Sequence, residues 1–238
     1  MAAEDTSALL LDTFVELADT LATGYEVGDL LQFLVDRCSE LLLADTAGVL
    51  LETPGGDLPT LAAATSQDML DIEELEIGLQ QGPCLEAYRT GKPVLVEDLA
   101  QCHERWPEFT PRIVALGMQS AYAFPLLLRG DRIGALNLYR AEVKTFAPHE
   151  IRLGQALADI AAVGILQERA VFAAERRADQ LQRALNSRIM IEQAKGVLAE
   201  RRRIPPGEAF QRLRSHARSN NMKLREVCRH VMNGELDL

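Results

Sequence analysis

Between Pro148 and Pro205 the sequence contains no proline, and inside that stretch one spacing repeats. Positions 153, 157, 160, 164, 167, 171, 174, 178, 181 and 185 alternate steps of four and three. A helix interior excludes proline, because the ring removes a hydrogen-bond donor and clashes with the preceding turn. The 4,3 step keeps one seam of side chains on one side of a helix. The spacing therefore predicts a single long helix with a heptad seam. The seam carries Leu153, Leu157 and Ile160, weakens at Gly164 and Gln167, and resumes at Val171, Ala174, Ala178, Leu181 and Leu185. The last five are the expected dimerisation residues of a parallel coiled coil. The alternative is a single helix whose first half only covers a sheet.

Such a helix divides the chain, and the charge divides with it. The whole sequence carries a formal net charge of -10, which taken alone argues against a nucleic-acid partner. Residues 1–182 hold 13 Lys and Arg against 29 Asp and Glu, whereas residues 183–233 hold 12 against 4. An acidic body followed by a basic segment points to a polyanion-binding module at the C-terminal end. Hydrophobic residues make up 47% and charged residues 25%, the composition of a folded globular protein. Cysteines 38, 84, 102 and 228 form no C-x-x-C pair, so neither a redox motif nor half a zinc site is expected, and the usage fits a reducing cytoplasm. Leu9, Leu10 and Leu11 have acidic neighbours and no basic flank, unlike a signal peptide, and no apolar run reaches the roughly 20 residues of a membrane span.

Before the long helix, Leu10, Phe14, Leu17, Ala18 and Leu21 predict a first amphipathic helix ending at Gly24, and a second is predicted from Asp29 to about Leu43, with Leu30, Leu31, Leu34, Val35, Cys38 and Leu41 on its apolar face. Residues 47–52 and 58–65 read as a hairpin around Pro54-Gly55-Gly56-Asp57. Gln67 to Gly78 reads as an acidic helix, residues 82–91 as a short helix with proline at its start and glycine at its end, and Val94 to Val96 as a strand. Arg105 to Leu116 reads as mixed turn and helix; Ser120 to Leu128 and Ile133 to Tyr139 form a second hairpin about Arg129-Gly130-Asp131. The expected class is α+β, a mostly antiparallel sheet with flanking helices. After the long helix, Pro205-Pro206-Gly207 separates it from a helix with Ala209, Phe210, Leu213 and Ala217 on its apolar face. A turn at Asn220-Asn221 precedes a last helix capped at Asn233-Gly234.

The run Ser187 to Glu200, containing Ala194-Lys195-Gly196, resembles the ANTAR domain, a three-helix RNA-binding module of transcription antitermination regulators. So do Glu208-Ala209-Phe210, Leu213-Arg214 and Asn221 to Cys228. Pro205-Pro206, where the family usually has a polar cap, and Cys228, where it usually has alanine, depart from the pattern. Residues 10–166 are similar to GAF domains through Gly82-Pro83-Cys84-Leu85-Glu86-Ala87, Gly91-Lys92-Pro93-Val94, Arg105-Trp106-Pro107-Glu108-Phe109, Phe124-Pro125-Leu126 and Ile133 to Leu138. The resemblance implies a GAF sensor over 8–166, a coiled-coil linker over 167–185 and an ANTAR domain over 181–234.

It also implies a cytoplasmic, non-enzymatic homodimer that binds paired hairpin loops of nascent mRNA and acts by antitermination. Recognition of an RNA loop needs cations for phosphates and side chains that stack on or bond to unpaired bases. Arg188, Gln193, Lys195, Arg214, Arg218, Asn221 and Lys223 supply these on polar faces, where they would serve equally as a solvated surface. Arg201, Arg202 and Arg203 are set aside, because cations in the last turn of a helix are favoured by its dipole alone. In the GAF part, Cys84, Trp106, Phe109, Tyr122 and Phe124 are candidate pocket residues for an unknown signal, and the same side chains suit a plain core. No cofactor is indicated, and His103 beside Cys102 is weak evidence for a metal. A GAF-type free methionine sulfoxide reductase and a DNA-binding factor are the alternatives.

Overall fold

The computed structural model describes residues 2–23, 26–53, 58–128 and 130–238. The predicted turn at Pro54-Gly55-Gly56-Asp57, the helix stop at Gly24 and Arg129 of the second turn lie outside them. Two compact units divide the chain, residues 1–169 and 170–238.

The first unit is built on a five-stranded antiparallel sheet in the order β2-β1-β5-β4-β3. Its strands are β1 (Thr46–Leu51), β2 (Thr60–Ala64), β3 (Val94–Val96), β4 (Ser120–Leu128) and β5 (Asp131–Arg140). Its helices are α1 (Ala2–Thr23), α2 (Val27–Leu41), α3 (Gln67–Leu79), α4 (Pro83–Thr90) and α5 (Phe109–Ala115), with the start of α6 (Pro148–Arg202). A 3-10 turn at Leu99–Gln101, capped by the Asp98 side chain, follows β3.

Alternate residues of a strand point to opposite faces of its sheet, and here each face carries its own core. Tyr122, Phe124 and Leu126 of β4 pack with Leu136 and Leu138 of β5 against Leu30, Leu34 and Cys38 of α2 and Leu157, Ala161 and Ile165 of α6. Ala121, Ala123, Ala135 and Tyr139 point the other way, toward Met69 and Ile72 of α3, Cys84, Leu85 and Ala87 of α4, and Trp106, Phe109 and Ile113. Short alanines on that second face leave room for the helices of the insertion between β2 and β4.

The long helix is a single element of 55 residues, but the seam does not run along it unbroken. Leu157, Gly164 and their neighbours Ala158, Ala161, Ala162 and Ile165 are buried in the first unit, where the helix covers the sheet. Val171, Leu181 and Leu185 are 52%, 72% and 52% exposed, and Ala174 and Ala178 are exposed with them. The heptad spacing thus serves two purposes in succession, a sheet cover and then an apolar stripe open to solvent.

In the second unit the end of α6 packs on α7 (Pro206–Ser219) and α8 (Leu224–Asn233) around Ala194, Leu198, Ala209, Leu213, Ala217, Val227, Cys228 and Val231. Pro206 opens α7 at a position where its missing N–H is harmless. Gly234, at φ 77°, caps α8 in the left-handed region. Cys228 is wholly buried in this core, a small apolar side chain in the place of an alanine.

Candidate nucleic-acid interface and sensor core

The last turns of α6 carry two kinds of face. Ala194 and Leu198 are buried against α7 and α8, whereas Arg188, Gln193 and Gly196 are exposed. Lys195 lies between, with its side chain only 20% exposed. Its Nζ donates to Glu192 at 2.8 and 2.9 Å and stands 5.9 Å from the centroid of the Phe210 ring on α7. That contact joins two stripes. Phe210, Arg214 and Arg218 follow one another at i, i+4 and i+8 on α7, so the cations of α7 continue from the ring that Lys195 covers.

Arg214, Arg218 and Asn221 are exposed, as is Lys223 at the start of α8. Asn221, at φ 52°, makes the turn between α7 and α8 in the left-handed region that asparagine tolerates. Among the described residues the guanidinium groups of Arg188, Arg214 and Arg218 make no hydrogen bond or ion pair within the protein, in contrast to Lys195. Phe210, on the apolar face of α7, is only half-buried and stands beside Lys195. The three arginines at the end of α6 differ from one another. Arg201 donates to the carbonyl of Val231 at 2.9 Å and ties α6 to α8, Arg202 pairs with Asp237 at 3.2 Å, and Arg203 is exposed at φ 49°.

The five proposed pocket residues of the first unit are not brought together. Trp106 and Phe109 stand edge to face, 6.2 Å apart, in the same core as Cys84. Tyr122 and Phe124 belong to the opposite core, where Tyr122 stacks on Phe146 at 3.6 Å and donates to the carbonyl of Lys144. The period of two along β4 requires this, since residues 122 and 124 share a face that 121 and 123 do not. All five are buried. An open depression of about 490 Å³ is lined instead by Asp71, Glu74, Leu75, Gly78, Leu79 and Arg112, between α3 and α5.

A cluster not foreseen from sequence lies in the core that holds Cys84. Glu73 and Glu76 of α3, together with Asn137 and Tyr139 of β5, are at most 1% exposed. Glu76 accepts from the Tyr139 hydroxyl and from the backbone N–H groups of Cys84 and Leu85, at 3.4 and 3.2 Å, where α4 begins. Glu73 accepts from the Asn137 amide, while its own Oε2 and Asn137 Oδ1 have no donor among the described residues. Burial pushes Glu76 up to about 7 against the pull of its three hydrogen bonds. Burial, and then the neighbouring Glu76 charge, raise Glu73 well above the usual carboxylate range. Two carboxyls this close favour one shared charge, and Glu76, with three donors, is the better place for it. A neutral Glu73 also brings an O–H into a site that holds two acceptors without a donor. The thiol of Cys84 is raised well above its ordinary value by burial and by both glutamates, the opposite of an activated nucleophile. The signal for this cluster was present in the sequence: residues 69, 72, 73 and 76 share one face of α3.

Comparison with known proteins assigns both units. The GAF domain family matches residues 4–166 and the ANTAR domain family residues 179–232. The chain is a GAF–ANTAR regulator. Its GAF fold is similar to the GAF domain of a phosphoenolpyruvate-protein phosphotransferase from Coxiella burnetii, at TM-score 0.56 and 19% identity over 68% of this chain and 96% of that one. The corresponding domain from Acinetobacter gives 0.53 and 17% over 68% and 95%. Free methionine-R-sulfoxide reductase from Neisseria meningitidis gives 0.51 and 18% over 65% and 87%. At these identities the likeness concerns the fold alone. No curated protein sequence matches the chain. In this GAF–ANTAR protein the sensor fold and the basic helical module are thus separate units, and among the described residues no helix is long and apolar enough to cross a membrane.

Proposed function

We propose that this regulator binds hairpin loops of nascent mRNA through its ANTAR unit and promotes antitermination in the cytoplasm, with the GAF unit as the sensor. The observation that carries the reading is the contact of Lys195 with Phe210. It places the α6 cation beside an aromatic ring and the exposed Arg214 and Arg218. A loop nucleotide needs this combination, because phosphates call for cations and an unpaired base for a flat apolar partner. Arg188, Gln193, Asn221 and Lys223 extend the face on either side. Lys195 would exchange Glu192 for a phosphate on binding.

Duplex DNA is the competing polyanion, and a competition experiment separates the two. A labelled RNA with two adjacent hairpins should be displaced by unlabelled hairpin RNA and not by an equal concentration of duplex DNA of the same length. Equal displacement would favour the DNA-binding alternative. The reductase alternative finds no support in Cys84, whose thiol is buried and held protonated.

The solvent-facing stripe at Val171, Ala174, Ala178, Leu181 and Leu185 supports a homodimer. Isolated apolar residues on a surface need no partner, but a stripe at a/d spacing on a charged helix is the seam of a coiled coil. Leu181→Glu together with Leu185→Glu should convert a dimer to a monomer in sedimentation experiments while leaving the helical circular dichroism of the sensor intact. A dimer that persists in the double variant would place the interface elsewhere. The signal is proposed to act on the α3–α4 side of the sheet, where the buried polar cluster and the α3–α5 depression both lie.

A further inference from the structure

Gly196 differs from Gly28, Gly78, Gly154 and Gly207, which also stand in helices. Gly154 has Phe124 against it, so that a Cβ there would lie 2.5 Å from the ring. Gly28 and Gly207 stand in the first turns of α2 and α7, and Gly78 in the last turn of α3, where a helix tolerates glycine more readily. Gly196 is two turns inside α6, and a Cβ built on it would meet nothing within 4 Å. Alanine would fit and would favour the helix, because glycine loses more backbone freedom on folding. Nothing in the fold of this unit therefore requires the missing side chain.

At 100° per residue, Gly196 is the centre of the exposed face of α6. Glu192 and Glu200 lie one turn before and one turn after it, Gln193 on one flank, and Lys195 with Arg188 on the other. The cations thus border the position, and carboxylates stand above and below it. Glu192 is held by Lys195 at 2.8 Å, whereas the carboxylate of Glu200 makes no hydrogen bond or ion pair among the described residues. A phosphate would be repelled from the centre of such a face. A base edge would not, since carboxylates accept from ring and exocyclic N–H groups.

We infer that an unpaired loop base packs edge-on against the α6 backbone at Gly196, with Glu200 accepting from its N–H groups and Gln193 bonding beside it. The inference rests on the RNA-binding reading. It assigns the phosphate contacts to Lys195, Arg188 and the α7 cations on one flank, and to the bare backbone beside them a base contact additional to the one at Phe210.

The test is Gly196→Ala in the full chain, titrated with a synthetic RNA of two short hairpins with unpaired loops at several salt concentrations. The variant should unfold at a higher temperature and bind about tenfold more weakly. Its salt dependence should match that of the wild type, because no phosphate contact is removed. Gly196→Val should bind more weakly still. An affinity in Gly196→Ala equal to the wild type would overturn the inference while leaving the RNA reading in place. A loss of affinity that accompanies a shift from dimer to monomer would also overturn it, by showing that Gly196 faces a second copy of the chain. Wild-type protein that binds no hairpin would overturn the RNA reading and this inference together.

Discussion

Glu73→Gln should make the sensor domain more stable at pH 8 than the wild type, raising its midpoint of thermal unfolding by about 5 °C. It should also flatten the dependence of stability on pH. Glutamine reproduces the shape of a neutral glutamic acid and keeps a donor toward Asn137, without a proton to lose. The sign follows from linkage: a carboxyl whose folded pKa lies above its unfolded value binds a proton more tightly when folded. The stability it contributes is complete below the unfolded value and is lost as pH rises through the folded one. For Glu76, moving from 4.5 to about 7, that loss is on the order of 3 kcal/mol between pH 4.5 and pH 7. Glu73 extends the loss to higher pH in the same direction. Thermal unfolding of both proteins at pH 5 and pH 8 measures the difference. A variant less stable than the wild type at pH 8 would mean that Glu73 is needed as a carboxylate.

The same cluster shows what the sequence could and could not reveal. Strand limits were legible where alternation and turn residues coincide, as at Ser120–Leu128, and helix ends where a glycine adopts positive φ, as at Gly91 and Gly234. The acidic stretch of α3 was legible as a helix, but which acids are buried depends on β5, more than 60 residues away, supplying Asn137 and Tyr139 as partners. The candidate pocket residues are divided between the two cores for a related reason. Tyr122 and Phe124 were grouped with Trp106 by chemistry, although their spacing on β4 already assigned them to one face and left the other to Ala121 and Ala123. On the ANTAR side, the polar stripes of α6 and α7 were legible from periodicity. The pairing of Lys195 with Glu192 and its approach to Phe210 were not, because the second contact crosses from one helix to the next.

The long helix was the most informative feature and also the most ambiguous. Its 4,3 spacing continues through residues buried on the sheet and residues open to solvent, and no local property distinguishes Leu157 from Leu181. The sheet decides the matter by burying the first and leaving the second exposed. A coupling between signal and output through this helix requires two states with different affinities for RNA.

The polar face of α6 and α7 is proposed to hold RNA phosphates, and removing two of its cations should have the largest effect on binding. Lys195→Ala with Arg214→Ala should weaken binding to the two-hairpin RNA on the order of a hundredfold at moderate salt, from about 1 kcal/mol or more at each contact. Arg214 is exposed and Lys195 half-buried beside Phe210, and neither belongs to the buried core of the unit, so the fold should persist in circular dichroism. The decisive measurement is the slope of log affinity against log salt for the wild type and the double variant. Loss of two phosphate contacts should make the slope shallower by about 1.5 to 2 per binding unit. An unchanged affinity and an unchanged slope in a folded double variant would contradict the assignment of this face to RNA.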